Sequence, residues 1–168
     1  SKNSIEKNIK LFFNIDSNIP PCILIDGVRI RQVLSNILSN AIKFTPEYGV
    51  IKFDIKQIEQ NEKNVVLRFE ISDSGIGIAK EQLNLIFKPF IQVDHKSNRQ
   101  YQGTGLGLSI CSYIVKALGS KINVESTIGS GTKFFFDLKI ETCDSFFPKK
   151  ETIQDINFNI YEENNDLI

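Results

Sequence analysis

The chain has no Trp, no Met and a single histidine, His95, and its 20 basic and 20 acidic side chains cancel to a net charge of zero. Each shortage removes a class of function. One histidine cannot build a His-rich metal centre or a two-histidine relay. A zero charge balance argues against a nucleic-acid module, which ordinarily carries a basic excess. No apolar run approaches the roughly 18 residues of a membrane span, and no secretory leader opens the chain, so no membrane contact by this domain is expected. Cys22, Cys111 and Cys143 are widely spaced and odd in number, with no CxxC pair. They are expected to be small hydrophobes in a reduced, cytoplasmic compartment, not a zinc or redox site.

What is present describes one globular domain. A length of 168 with 41% hydrophobic and 24% charged residues supports one real core, not two. The chain starts on Ser1 and reads as a piece of something longer. Lys10 to Asp16 reads as a strand, ended by Pro20-Pro21. Asp26-Gly27 is a turn and helix start, and Ile30, Val33, Leu34, Ile37, Leu38 and Ala41 give 28–44 one apolar helical face. Thr45 to Gly49 stops that helix. Stretches 50–58 and 65–72 alternate as a hairpin, 79–87 is a short helix and 88–102 a long loop. A helix over 106–118 ends at Gly119, and 121–126 with 132–140 make a second hairpin about Gly129-Ser130-Gly131. Helices separated by hairpins predict an α+β fold, a two-layer sandwich with a mixed β-sheet and helices packed on one face. The expected organisation is the end of a preceding linker over 1–9, a domain over 10–140, and an acidic, Asn-rich, disordered linker over 141–168.

Three segments carry chemistry. At 100° per residue Gln32, Asn36, Asn40 and Lys43 share one stripe beside the apolar face. Amide oxygens can ligate a hard cation and an ammonium can meet phosphate, although a solvated polar face has the same pattern. Asp73-Ser74-Gly75-Ile76-Gly77-Ile78 ends a strand with a carboxylate and two glycines that admit a ligand to the backbone. Gly103-Thr104-Gly105-Leu106-Gly107-Leu108 runs straight into a helix, whose N-terminal amides favour an anion. It matches neither the dinucleotide fingerprint nor the GxxxxGK[ST] phosphate loop.

In this order the segments resemble the catalytic, ATP-binding domain of sensor histidine kinases, of the GHKL superfamily. Residues 29–46 (RIRQVLSNILSNAIKFTP) are similar to its N box, 73–78 (DSGIGI) and 103–108 (GTGLGL) to its glycine boxes. Phe87-Lys88-Pro89-Phe90 is similar to the F box and Gly129-Ser130-Gly131-Thr132 to a terminal GxGT; the likeness covers about 10–140. The resemblance implies ATP and Mg2+ as cofactors. Asn40, with Asn36, would hold Mg2+ against the phosphates, Lys43 would touch a phosphate, and Phe44 would lie near the adenine. Asp73 would accept the adenine amino group, supported by Thr132, with Gly75, Ile76, Gly77 and Ile78 shaping the pocket. Residues 88–102 would be a lid, hinged by Phe87, Phe90 and the Gly103 to Leu108 segment, with Lys96 or Arg99 as candidates to reach phosphates.

The resemblance also separates branches. Gyrase-like ATPases carry a water-activating Glu where this chain has Asn36, and an amide cannot take a proton. Poor hydrolysis is therefore expected, leaving the γ-phosphoryl for an acceptor. The implied acceptor is a His on a dimerisation hairpin, which this chain lacks upstream of Lys10, and His95 in the lid region is not expected to serve. The implied onward partner is a response regulator or fused receiver domain, the N-box wording being most like hybrid kinases. A cytoplasmic domain is implied, with a membrane-anchored parent left open. Two rival readings stand beside this one: a nucleotide-sensing module that transfers nothing, and an ATP-hydrolysing machine.

Overall fold

The structure, a computed structural model, describes residues 7–91 and 105–143. The expectations for His95, Lys96, Arg99, Gly103, Thr104 and the stretch 144–168 lie outside the described residues.

Alternation of apolar and polar side chains builds the sheet. Strands β1 (Lys10–Ile15), β2 (Ile23–Leu24), β3 (Val50–Gln60), β4 (Asn64–Asp73), β5 (Asn123–Thr127) and β6 (Gly131–Thr142) form it in the order β1-β3-β4-β6-β2. β5 and β2 share the free edge of β6, at its start and its end. Among the described strands β1 and β3 run parallel and the other pairs antiparallel, so the sheet is mixed as expected. Ile51, Phe53 and Ile55 of β3, Leu67, Phe69 and Ile71 of β4, and Phe134, Phe136 and Leu138 of β6 fill the core face. Phe69 and Phe136, opposite each other in the β4–β6 register, stack at 5.2 Å.

Helix α1 (Gly27–Phe44) covers that face because its apolar residues recur at helical spacing. Asp26 caps it, a side-chain oxygen accepting Arg29 N–H at 3.1 Å. Ile30, Val33, Leu34, Ile37, Leu38 and Ala41 are all buried, the six expected. Full burial of such an aliphatic side chain is worth roughly 1.5–3 kcal/mol. Helix α3 (Gly107–Ala117) lies against α1 and ends at Gly119, whose φ of 81° is left-handed. The opposite sheet face is polar. There Arg68 grips Asp137 through two bonds of 2.8 and 2.9 Å and lies over the Phe135 ring at 4.8 Å. Lys56–Glu70 (3.2 Å) and Lys133–Glu125 (2.5 Å) are further cross-strand ion pairs.

Besides shifts of one or two residues at other element ends, four features differ from the sequence-based expectation. The helix expected over 79–87 shrinks to the single turn α2 (Lys80–Leu83), followed by further turns to Lys88. Ala79 gives it no side-chain cap, and four residues are too few to repay helix nucleation. Strand β2 is not foreshadowed in the sequence, because two residues carry no periodicity. β6 continues to Thr142, beyond the expected end at 140. The cysteine expectation is corrected for Cys22 and Cys143, which form a disulfide with Cα atoms 5.2 Å apart. The β2–β6 register pairs Ile23 with Thr142 and so sets Cys22 opposite Cys143, whose N–H donates to the Cys22 carbonyl at 3.2 Å. A sequence separation of 121 hides the pair. Cys111 is buried and free, the small hydrophobe expected.

Two stability changes follow. Cys143→Ser, or reduction, is expected to cost about 2–4 kcal/mol because the bridge closes a long loop. Urea unfolding with and without reductant measures it, and a midpoint indifferent to reductant rules the bridge out. Tyr48 holds φ at 64° and is 73% exposed. Tyr48→Gly should therefore stabilise the fold by about 1 kcal/mol, read as a higher urea midpoint.

Candidate functional site

The sequence motifs meet at one end of the sheet, where α1 finishes, β4 ends and α3 begins. Asp73 is the last residue of β4 and pairs in register with Thr132 of β6 and Ile51 of β3. Its Oδ1 accepts the N–H of Gly75 at 2.8 Å and that of Thr132 at 3.3 Å. Both bonds fall on one oxygen, so among the described residues Oδ2 remains as an acceptor for a ligand. Burial pushes the Asp73 pKa above its ordinary value, and the two N–H donors pull the other way.

The glycine loop is pinned from both sides. Ile76 N–H donates to the Phe44 carbonyl at 3.3 Å, and the Ile76 carbonyl accepts Gly129 N–H at 2.8 Å. The loop needs glycine because of what surrounds it. A Cβ on Gly75 would stand 2.7 Å from the Phe44 carbonyl oxygen, and one on Gly77 would stand 2.1 Å from that of Thr127. Ile78 N–H donates to Ser126 Oγ at 2.8 Å, and that hydroxyl also meets Gly131 O and Thr132 Oγ1 at 2.8 and 2.9 Å. Ser126 belongs to none of the sequence motifs. The hairpin about Gly129-Ser130-Gly131 is the signal that points to it, because its register sets Ser126 opposite Thr132.

The polar stripe of α1 divides. Gln32 is exposed, whereas Asn36, Asn40, Lys43 and Phe44 are half-buried. Asn36 Nδ2 makes a long contact of 3.5 Å with the Gly107 carbonyl, joining the stripe to the first turn of α3. That turn has no side-chain cap and no acidic residue, leaving its amides to an anion. Lys43 Nζ lies 5.2 Å from the centre of the Phe44 ring, and burial lowers its pKa.

The F box divides as well. Phe87 packs edge-on to Phe134 at 6.3 Å and serves the core, while Phe90 is 77% exposed with φ of 63°. Phe90 N–H donates to the Gly105 carbonyl at 3.1 Å, so the F box and the second glycine box are tied directly. Leu108 is partly buried against the core, and Leu106 occupies the N-cap of α3. No helix among the described residues is long and apolar enough to cross a membrane.

Known proteins are similar to this chain in sequence and fold. Residues 25–142 match the family described as histidine kinase-, DNA gyrase B-, and HSP90-like ATPase. The hybrid signal transduction histidine kinase B of Dictyostelium discoideum is 43% identical over 138 residues, covering 82% of this chain and 7% of that protein. The peroxide stress-activated histidine kinase mak2 of Schizosaccharomyces pombe is 39% identical over 147 residues, covering 86% of this chain and 6% of that protein. This chain thus spans only a small part of these relatives. Among solved structures, full-length ShkA in complex with AMPPNP superposes with a TM-score of 0.69 at 32% identity, over 83% of this chain and 27% of that one. The nucleotide-free catalytic domain of histidine kinase ThkA gives 0.62 at 33%, over 78% of each chain. The chain therefore belongs to the histidine kinase-, DNA gyrase B- and HSP90-like ATPase family, as an ATP-binding catalytic domain of the two-component histidine kinase type.

Proposed function

We propose that this domain holds ATP between the end of α1, the Asp73 loop and the first turn of α3, and presents its γ-phosphoryl to a histidine on a helical hairpin elsewhere in the parent protein. The observation that carries this reading is Asp73: a half-buried carboxylate with Oδ1 occupied and Oδ2 available, at the bottom of a loop anchored to the N-box helix. An acceptor so placed takes an exocyclic amino group, which adenine has where guanine has a carbonyl. Phe44 and Ile76, joined through their backbones, flank the base. Lys43 and the uncapped amides of α3 receive the phosphates.

Asn36 and Asn40 suit Mg2+ by the chemistry of their neutral amide oxygens. Among the described residues no three His, Cys, Asp or Glu side chains gather as a metal site, so the remaining ligands would be phosphate oxygens and water. The cation, when bound, supplies charge neutralisation along the triphosphate. In transfer, a nitrogen of the acceptor imidazole forms the bond to the γ-phosphorus, the bond from phosphorus to the bridging oxygen breaks, and ADP leaves. This chain positions the phosphates and excludes the competing reaction, since Asn36 cannot take a proton from water. A fused receiver or separate response regulator then accepts the phosphoryl on an Asp, the hybrid arrangement being favoured by the likeness to the Dictyostelium kinase.

Two measurements test this. The domain mixed with the parent's hairpin and γ-labelled ATP is expected to yield phosphohistidine faster than free phosphate. Nucleotide binding without phosphohistidine would leave a sensing module, and rapid phosphate release without acceptor would mean an ATPase. Asp73→Asn is expected to weaken ATP binding by roughly tenfold to a hundredfold, the worth of a hydrogen bond to a charged group.

The sign of the pH effect follows from the raised Asp73 pKa. Binding needs the carboxylate, so wild-type affinity should begin to fall, on acidification, above the usual carboxylate pKa of about 4. The same protonation favours the folded chain, so Asp73's contribution to stability is present at low pH and is lost as pH rises through its folded pKa. Asp73→Asn should flatten both components, and an unchanged pH profile of binding in that variant would refute the assignment.

A further inference from the structure

The carbonyls that end α1 are all engaged, and part of the engagement comes from far away in sequence. Thr45 holds the Ala41 carbonyl through its N–H at 3.0 Å and its hydroxyl at 2.6 Å, and Ile76 holds that of Phe44. The others belong to Lys7. Its ammonium donates to the carbonyls of Lys43 at 2.8 Å, Thr45 at 3.0 Å and Ile42 at 3.1 Å. Lys7 lies ahead of β1, between 35 and 38 residues from these acceptors, in a stretch expected from the sequence to be linker. A cation is favoured at a helix C-terminus, where carbonyl dipoles converge.

The turn that Lys7 closes is the one from which Lys43 projects. Lys43 is half-buried, and its ammonium has the Phe44 ring on one side. Its reach therefore depends on where its own backbone stands. We propose that Lys7 is a positioning residue for the nucleotide site, fixing the last turn of α1 so that Lys43 meets the phosphates, and linking the segment ahead of β1 to that site. The proposal rests on the reading that Lys43 faces phosphate. It adds a residue outside every motif, acting through backbone carbonyls and not through contact with the nucleotide.

A double-mutant cycle on ATP affinity, using the 168-residue chain, tests it. Lys7→Met keeps the alkyl stem and removes the donors. It is expected to raise the ATP dissociation constant about fivefold, in line with the loss of a well-placed charge at a helix terminus. Lys7→Arg, which restores charge and donors, should return affinity to within about twofold of wild type. In a Lys43→Met background the Lys7→Met loss should vanish, because the residue through which it acts is gone. Lys10→Met, on exposed β1, is the control for net charge and should leave binding unchanged.

A Lys7→Met chain that melts lower but binds ATP as wild type has only a structural lysine, and the proposal fails. Additive losses in the cycle overturn it equally. Asp73→Asn in the same series separates the two levels of inference. If Asp73→Asn weakens binding and Lys7→Met does not, only the role of Lys7 falls. If neither matters, the nucleotide site itself is misassigned.

Discussion

The bond from Ile76 N–H to the Phe44 carbonyl joins the two halves of the site. α1 brings amides and an ammonium, and the β4 loop brings the half-buried carboxylate. The proposed nucleotide site needs both halves held at a fixed distance. A helix C-terminus has carbonyls that need donors, and the glycine loop has an N–H that would otherwise be idle. Joining them meets a need on each side, and it explains why Gly75 cannot carry a side chain: its Cβ would enter this contact. The polar satisfaction of a helix end and the geometry of a ligand site are here the same interaction.

The sheet supplies the second constraint. β6 pairs with β4 from Thr132 to Glu141 and with β5 and β2 on its other edge, so one strand sets three registers. The tight turn at Gly129-Ser130-Gly131 starts that strand beside Asp73, where Thr132 N–H and the Ser126 hydroxyl support the loop. At the far end the same strand delivers Cys143 to Cys22. A slip of one residue would turn the core face outward and take Thr132 away from Asp73, so packing of Phe69 on Phe136 protects the site from a distance. The polar network is specific because the apolar core leaves it no alternative register.

Much of this can be read from the chain in order. The six apolar positions of α1 are spaced at three and four, and that spacing alone identifies the helix and its buried face. The hairpins follow from alternation, with a polar turn over 60–64 in the first and a glycine-bearing turn in the second. Local periodicity is legible because each residue's burial repeats within a few neighbours. The pattern misleads or falls silent where that repeat is too short, as in the two residues of β2 or the single turn of α2. The stripe on α1 is legible as a stripe, but its division into exposed Gln32 and half-buried Asn36, Asn40 and Lys43 depends on α3 and the Asp73 loop coming to lie beside it.

What the sequence by itself determined is the set of chemical groups and their local frames: amides and an ammonium on one helix, a carboxylate before two glycines, a glycine run opening a second helix. These are short-range properties, fixed by backbone periodicity and by residue type. Tertiary structure alone decided which groups meet. The clamp of Lys7 on the end of α1, the bridge between Cys22 and Cys143, and the turn of Ser126 toward Ile78 join residues 36, 121 and 48 positions apart. Such contacts leave no periodic trace, because they exist only once strand register and helix packing have brought distant parts of the chain within hydrogen-bonding or bonding distance.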